Sequence, residues 1–244
     1  PYYHYLMASE VQNFNCYITT QNYINFMKEK GDTVNTYPLK FIWTRSGKIY
    51  YVLQPFPGME NDTERPKILE KIQLLKNQFH GFYLDWLNYL IISPLDDIPA
   101  GTEAVFKGDS VFVSYATAED GIQTTVRKWF LPSGRLISFE VETQSQKVVS
   151  YPDYQEVDGK WLCIGWDTQI FEDNEVNSGL STKLELQKTQ NAWFPARVEV
   201  LVQTIEKPDE RYISTLYLKS YDFNLPLLEL PNQQQQDSIL QKDS

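Results

Sequence analysis

The sequence contains few of the residues on which most catalytic and metal sites depend. Its 244 residues include two cysteines, Cys16 and Cys163, and two histidines, His4 and His80. The cysteines are far apart and lack the spacing of metal ligands, so we expect two buried free thiols, with a disulfide as the alternative. His80 directly follows Phe79, a position in an apolar helical stripe. We therefore expect His80 to flank a packed face rather than to act as a base.

Positive charge and long apolar runs are also scarce. With 22 Lys and Arg against 32 Asp and Glu, the net charge is −10, which argues against nucleic acid as a partner. No apolar run approaches the roughly 18 to 20 residues that a membrane-spanning helix needs. The Gly-x-Ser-x-Gly, His-Glu-x-x-His and glycine-rich phosphate-loop motifs are absent. We therefore predict no catalytic residue, no metal and no cofactor.

Carboxylates are the remaining candidates for catalysis. Asp153, Glu156, Asp158 and Asp167 cluster around one predicted hairpin, and two strand carboxylates about 5 to 10 Å apart could hydrolyse glycosides. The alternative is that acids near a turn are solvated or form the turn itself. Asp96-Asp97 lacks the ligand spacing of a calcium loop. A carboxylate-dependent glycoside hydrolase is therefore an alternative function and not the main prediction.

Aromatic residues are abundant, and they favour a fold of β-strands around one long helix. They make up 14% of the chain, and hydrophobic residues make up 42%, which favours strands and supplies a sizeable core. Capping residues before Pro66 predict a helix from there to about Ser93, with Gly81 as a site for a kink or split. Apolar residues recur along it in steps of three and four, in one stripe: Ile68, Ile72, Leu75, Phe79, Phe82, Trp86 and Leu90.

Turn signals between alternating apolar runs predict a series of antiparallel hairpins. They are Ser46-Gly47, Asp120-Gly121, Pro132-Ser133-Gly134 and Asp158-Gly159, and Asp-Gly is a strong hairpin signal. The C-terminal third repeats weakly at about 32 residues, and either a true repeat or a regular meander predicts long antiparallel strands there. The loops of its two hairpins are predicted at residues 172–179 and 206–210.

The domain organisation is expected to be simple. No stretch rich in Gly, Ser or charge divides the chain, so we predict a single domain over residues 1–231. Residues 232–244 contain four consecutive glutamines and little apolar content. We predict that this tail is disordered.

The order of these elements resembles that of a known superfamily. The resemblance is carried by residues 39–56, the helix from Pro66, and residues 154–162, where a tyrosine strand leads through Asp158-Gly159 into the next strand. On these features the chain resembles the periplasmic outer-membrane lipoprotein carriers and the related lipid-binding envelope lipoproteins. The family usually has a leucine-proline pair where this chain has Leu162-Cys163, whereas Trp193-Phe194-Pro195 keeps a proline.

The resemblance, which spans about Val11 to Asn224, implies a fold and a function. The fold is α+β, a strongly curved, mainly antiparallel sheet forming an open half-barrel whose concave face is covered by the long helix. The function is non-catalytic binding of a lipid, acyl chain or lipidated protein by a monomer in the periplasm or cell envelope. Because the chain starts at Pro1, we expect an export signal upstream.

The predicted ligand site is an apolar cavity between helix and sheet. A cavity of this kind binds acyl chains without catalytic groups, at about 0.8 kcal/mol per buried methylene. An alternative is a structural or protein-interaction module in which the same side chains form a filled core. The residues predicted to line the cavity are Phe41, Trp43, Tyr51, Phe79, Phe82, Trp86, Phe139, Trp166 and Leu184.

Overall fold

The chain forms an α+β protein built on twelve antiparallel strands. The computed structural model describes residues 3–55, 63–119, 122–172, 175–204 and 211–226. Within those residues there are two α-helices, α1 (Gln21–Glu29) and α2 (Arg65–Trp86). A short 3₁₀ helix, Leu6–Ala8, precedes the first strand, and a π-helical segment, Leu87–Ile91, follows α2 directly. The predicted α+β class, the antiparallel sheet and the long helix are therefore confirmed.

The strands form one open sheet. In chain order they are β1 (Asn13–Thr20), β2 (Leu39–Thr44), β3 (Ile49–Leu53), β4 (Ala104–Lys107), β5 (Ser110–Glu119), β6 (Ile122–Phe130), β7 (Leu136–Glu142), β8 (Lys147–Val157), β9 (Lys160–Glu172), β10 (Glu175–Thr189), β11 (Ala192–Thr204) and β12 (Arg211–Phe223). Their order in the sheet is β3-β2-β1-β12-β11-β10-β9-β8-β7-β6-β5-β4. Among the described residues, β3 and β4 therefore lie at the two ends of the sheet.

Backbone proximity divides the chain into two compact units. Unit 1 contains Pro1–Ala8, Trp86–Phe194 and Val198–Ser214, and unit 2 contains the rest of the chain. The prediction of one domain over residues 1–231 stays a prediction. The tail predicted from residue 232 lies outside the described residues.

Unit 2 contains β1 to β3, α1, nearly all of α2 and most of β12, and α2 packs over aromatic side chains of the strands. Phe14 of β1 lies opposite Trp43 of β2, and Cys16 lies opposite Phe41. All four side chains are buried, because residues that alternate along a strand share one side of the sheet. The α2 helix packs Phe79 against this side, with 4.8 Å between the ring centroids of Phe79 and Phe41. The predicted helical stripe is thus the buried face of α2 from Ile68 to Trp86.

Unit 1 is a meander whose N-terminal segment is held by a tyrosine. The Tyr3 hydroxyl donates to the carbonyl O of Gly134 at 2.5 Å and accepts the backbone N–H of Leu136 at 2.7 Å. These bonds hold the segment before the 3₁₀ helix against the turn between β6 and β7. The Asp158-Gly159 turn between β8 and β9 is confirmed. Both residues have positive φ, at 50° and 71°, as a two-residue type I′ hairpin requires.

Two predictions of local structure change. The helix is not interrupted at Gly81, because α2 runs without a break from Arg65 to Trp86. The change comes after Trp86, where the α-helix becomes π-helical. The acidic loop predicted to reach Gly179 is shorter, because β10 begins at Glu175. The turn at residues 120–121 and the loop at 206–210 lie outside the described residues. The prediction of two free buried thiols, Cys16 and Cys163, is confirmed.

Candidate functional site

One face of the unit 1 sheet carries a row of aliphatic side chains across four strands. Val126 of β6 lies opposite Val141 of β7. Val148 of β8 lies opposite Val141 on one side and Ile170 of β9 on the other. Residues directly opposite each other in antiparallel strands point to the same side of a sheet, so these four form one row, which we call the aliphatic row. At about 4.8 Å per strand the row is about 14 Å long.

A second row lies beside it on the same face. Lys128 of β6 is opposite Phe139 of β7. Ser150 of β8 lies opposite Phe139 on one side and Thr168 of β9 on the other. Side chains two residues apart in a strand share a side, so both rows belong to one surface, which we call the apolar face. Tyr115 of β5 extends the aliphatic row by one strand.

The opposite face of the same strands carries paired charges. Arg127 donates to Glu142 at 2.5 Å and also contacts Glu140. Glu140 in turn binds Lys147 at 3.1 Å. The hydrogen bond from Arg127 lowers the pKa of the Glu142 carboxyl below its usual value. This face therefore combines the Arg127 and Lys147 ion pairs with apolar side chains, among them buried Val149 and the Phe112–Trp129 ring pair.

The segment after α2 covers one end of the apolar face. Trp166 belongs to that face because it is two residues from Thr168 on β9. Its ring lies 5.0 Å from the ring of Tyr89, measured between centroids, and both side chains are buried. The π-helical segment thus packs where β9 crosses the face.

A buried lysine lies in the second row of the apolar face, under the loop that follows the π-helical segment. Lys128 is 3% exposed, and its Nζ donates to the carbonyl O of Pro94 at 2.8 Å and contacts an oxygen of Asp97. The other Asp97 oxygen accepts the Tyr115 hydroxyl at 2.7 Å. We call Lys128 Nζ and the Tyr115 hydroxyl the carboxylate cradle, because both hold the same carboxylate. Burial lowers the pKa of the Lys128 ammonium, and the nearby Asp97 charge opposes that shift.

Beyond this covered end the apolar face remains partly open to solvent. Val126 is buried, but Val141, Val148 and Ile170 are half-buried. Aliphatic side chains in that position lose the stabilisation that full burial would give, about 0.8 kcal/mol per methylene. A partner that covered them with apolar groups would recover it.

The predicted cavity residues of unit 2 lie together and in contact. Phe41, Tyr51 and Phe79 form a triangle of rings, with centroids 4.8 to 6.1 Å apart. Phe82 lies 5.9 Å from Phe79, and Trp43 is stacked on a ring of β1. Contacts at these distances are those of packed aromatic pairs. This group therefore has the packing of a core.

The predicted cavity residues of unit 1 divide into two kinds. Trp86 and Trp166 are buried. Phe139 and Leu184 are half-buried, and Leu184 shares a strand side with Thr182, which lies opposite Trp166. Phe139, Trp166 and Leu184 thus belong to the apolar face. Whether these residues, or those of unit 2, line a ligand cavity stays a prediction.

The carboxylates considered for catalysis do not form a buried pair. Asp153, Glu156, Asp158 and Asp167 are all exposed. Asp158 pairs with Lys188 at 3.1 Å, and this hydrogen bond lowers its pKa. In the described ranges, no group of three or more His, Cys, Asp and Glu residues is arranged to hold a metal ion. The geometry of these four acids is that of a solvated strand surface.

Sequence reasoning missed the carboxylate cradle. One signal was present: Lys128 falls between Val126 and Phe130 in an alternating strand, at a position whose neighbours are apolar. A charged side chain on the apolar side of a strand either faces water at a sheet edge or is buried with a partner of opposite charge. The partner, Asp97, comes from 31 residues earlier in the chain, and no local pattern links the two.

Comparison with known proteins adds no relative. The chain matches no family model, no curated protein and no solved structure. Of the helices in the described parts of the chain, none is long and apolar enough to span a membrane.

Proposed function

We propose that this chain is a non-catalytic binding protein that holds an acyl chain on the apolar face of unit 1. The observation that carries the proposal is the half-buried aliphatic row from Val141 to Ile170, whose side chains are partly exposed to solvent. An acyl chain laid along the row would gain about 0.8 kcal/mol for each methylene that it buries. Such binding requires no catalytic group.

The wider setting of this function follows the motif resemblance. The sheet is then strongly curved into a half-barrel, with α2 on its concave side, and the chain acts as a monomer in the periplasm or cell envelope. The natural ligand is a lipid or a lipidated protein. The twelve-stranded antiparallel order and the single long helix are consistent with this setting.

A second candidate function is a structural or protein-interaction module. It is favoured by the ring contacts among Phe41, Tyr51 and Phe79, because a filled core between helix and hairpin needs no ligand. The two candidates differ in whether an apolar ligand binds at all. The acyl-binding proposal therefore depends on the apolar face of unit 1 and not on the aromatic group of unit 2.

Lipid extraction and native mass spectrometry of the purified protein test the proposal. Acyl binding predicts adducts of lipid mass that organic extraction removes, and saturable binding of laurate by the extracted protein. The absence of adducts together with no saturable laurate binding would favour the interaction module.

A further inference from the structure

The carboxylate cradle places two hydrogen-bond donors of the sheet on one acid. Tyr115 and Lys128 lie on the neighbouring strands β5 and β6 and on the same face. Their donors bind the two different oxygens of Asp97. Two donors converging in this way form a receptor for a carboxylate, and charge-assisted bonds of this kind are stronger than neutral ones. A buried lysine in an apolar surface needs such an anion.

The acid that fills the cradle does not belong to the sheet. Asp97 lies in the loop after the π-helical segment, and 34% of its side chain is exposed, against 3% for Lys128. The donors are thus fixed by strands, whereas their acceptor is supplied by a loop residue that reaches solvent. Another carboxylate could take the place of Asp97 without uncovering the lysine to water.

The size of the space beside the cradle determines whether a ligand head group could bind in addition to the Asp97 carboxylate or only in its place. A void of about 10 Å³ is lined by Lys128, Asp97, Phe139, Leu136 and neighbouring residues. That volume suffices for about one water molecule. A head group has no room to bind in addition to Asp97, so it has to replace the Asp97 carboxylate.

We propose that the carboxylate of a single-chain amphiphile replaces Asp97 in the cradle, with its acyl chain along the aliphatic row. This inference rests on the proposed acyl-binding function and names its ligand class, a fatty acid. Lys128 is two residues from Val126 on β6, so the head-group site is about 7 Å from the start of the row. The charged and the apolar parts of the ligand therefore meet adjacent parts of one surface.

Laurate and dodecanol have the same chain length, but only laurate carries a carboxylate. Comparing them therefore separates head-group binding in the cradle from acyl-chain binding along the aliphatic row. In the wild type the carboxylates of laurate and Asp97 compete for the same two donors, so calorimetric titration of the full chain is expected to show little preference for laurate over dodecanol. Asp97→Asn should tighten laurate binding roughly tenfold and leave dodecanol unchanged, because the internal competitor loses its charge. Introduced into Asp97→Asn, Lys128→Met should abolish the preference for laurate while retaining dodecanol binding.

Tyr115→Phe provides a milder test in case the lysine variant does not fold. Introduced into Asp97→Asn, it removes one donor and should weaken laurate binding several-fold without changing dodecanol binding. If Asp97→Asn binds laurate no more tightly than the wild type, or if Tyr115→Phe introduced into Asp97→Asn leaves laurate binding unchanged, the head-group inference is overturned and acyl binding stands. If the wild type binds neither probe, the proposed function itself fails.

Discussion

Truncation of Phe79 tests whether the space between α2 and the β2–β3 hairpin is filled. Phe79 is fully buried, and its ring centroid lies 4.8 Å from Phe41, 5.9 Å from Phe82 and 6.1 Å from Tyr51. Phe79→Ala removes a ring that contacts three others, and packed neighbours relax only partly into the gap. We expect a loss of about 3 to 5 kcal/mol in the free energy of unfolding.

The assay is urea denaturation of wild type and variant, with an exposed residue of the same helix as control. Leu84 is 49% exposed on α2, so Leu84→Ala should change the free energy of unfolding by less than about 0.5 kcal/mol. A hollow, ligand-filled space predicts a different result. Phe79→Ala would then cost no more than Leu84→Ala in the lipid-free protein but would weaken laurate binding, and this outcome would refute the filled-core interpretation.

Two further predictions concern glycine and cysteine. At Gly165 an added Cβ would overlap the backbone oxygen of Thr182, so Gly165→Ala should lower the free energy of unfolding by about 1 to 3 kcal/mol. The same substitution at Gly81, in open space on a helix, should instead raise it by up to about 1 kcal/mol; equal effects in a melting experiment would contradict the structure. Burial raises the pKa of the Cys16 thiol, and Cys163 is also buried. Iodoacetamide should therefore label both only in denaturant, and rapid labelling of native protein would be inconsistent with their burial.

The helix and the tight turns could be predicted because their signals are local. The buried side of α2 follows steps of three and four from Ile68 to Trp86, and the structure buries these positions. Asp158-Gly159 carries its own conformational preference, because glycine and aspartate tolerate the positive φ that this turn needs. Neither feature depends on which other segment of the chain packs nearby.

The apolar face could be predicted only in part, because it depends on register between distant strands. Phe139 and Trp166 were recognised as apolar strand residues, but their common side follows from pairing through β8. A bulge at Ile137, where Phe130 pairs with Leu136 and Trp129 with Ser138, also shifts the alternation of β7. No pattern within one strand reveals such a shift.

Laurate binding to two neighbouring variants of β9 tests the acyl-binding proposal most directly. Ile170 is half-buried and belongs to the apolar face, whereas Gln169 is exposed and points to the opposite side. Ile170→Asn should raise the dissociation constant of laurate roughly tenfold, the effect of losing contact with about two methylenes, and Gln169→Asn should leave it unchanged. Equal affinities of the two variants, measured by calorimetric titration of correctly folded protein, would contradict the proposal that the apolar face is the binding site.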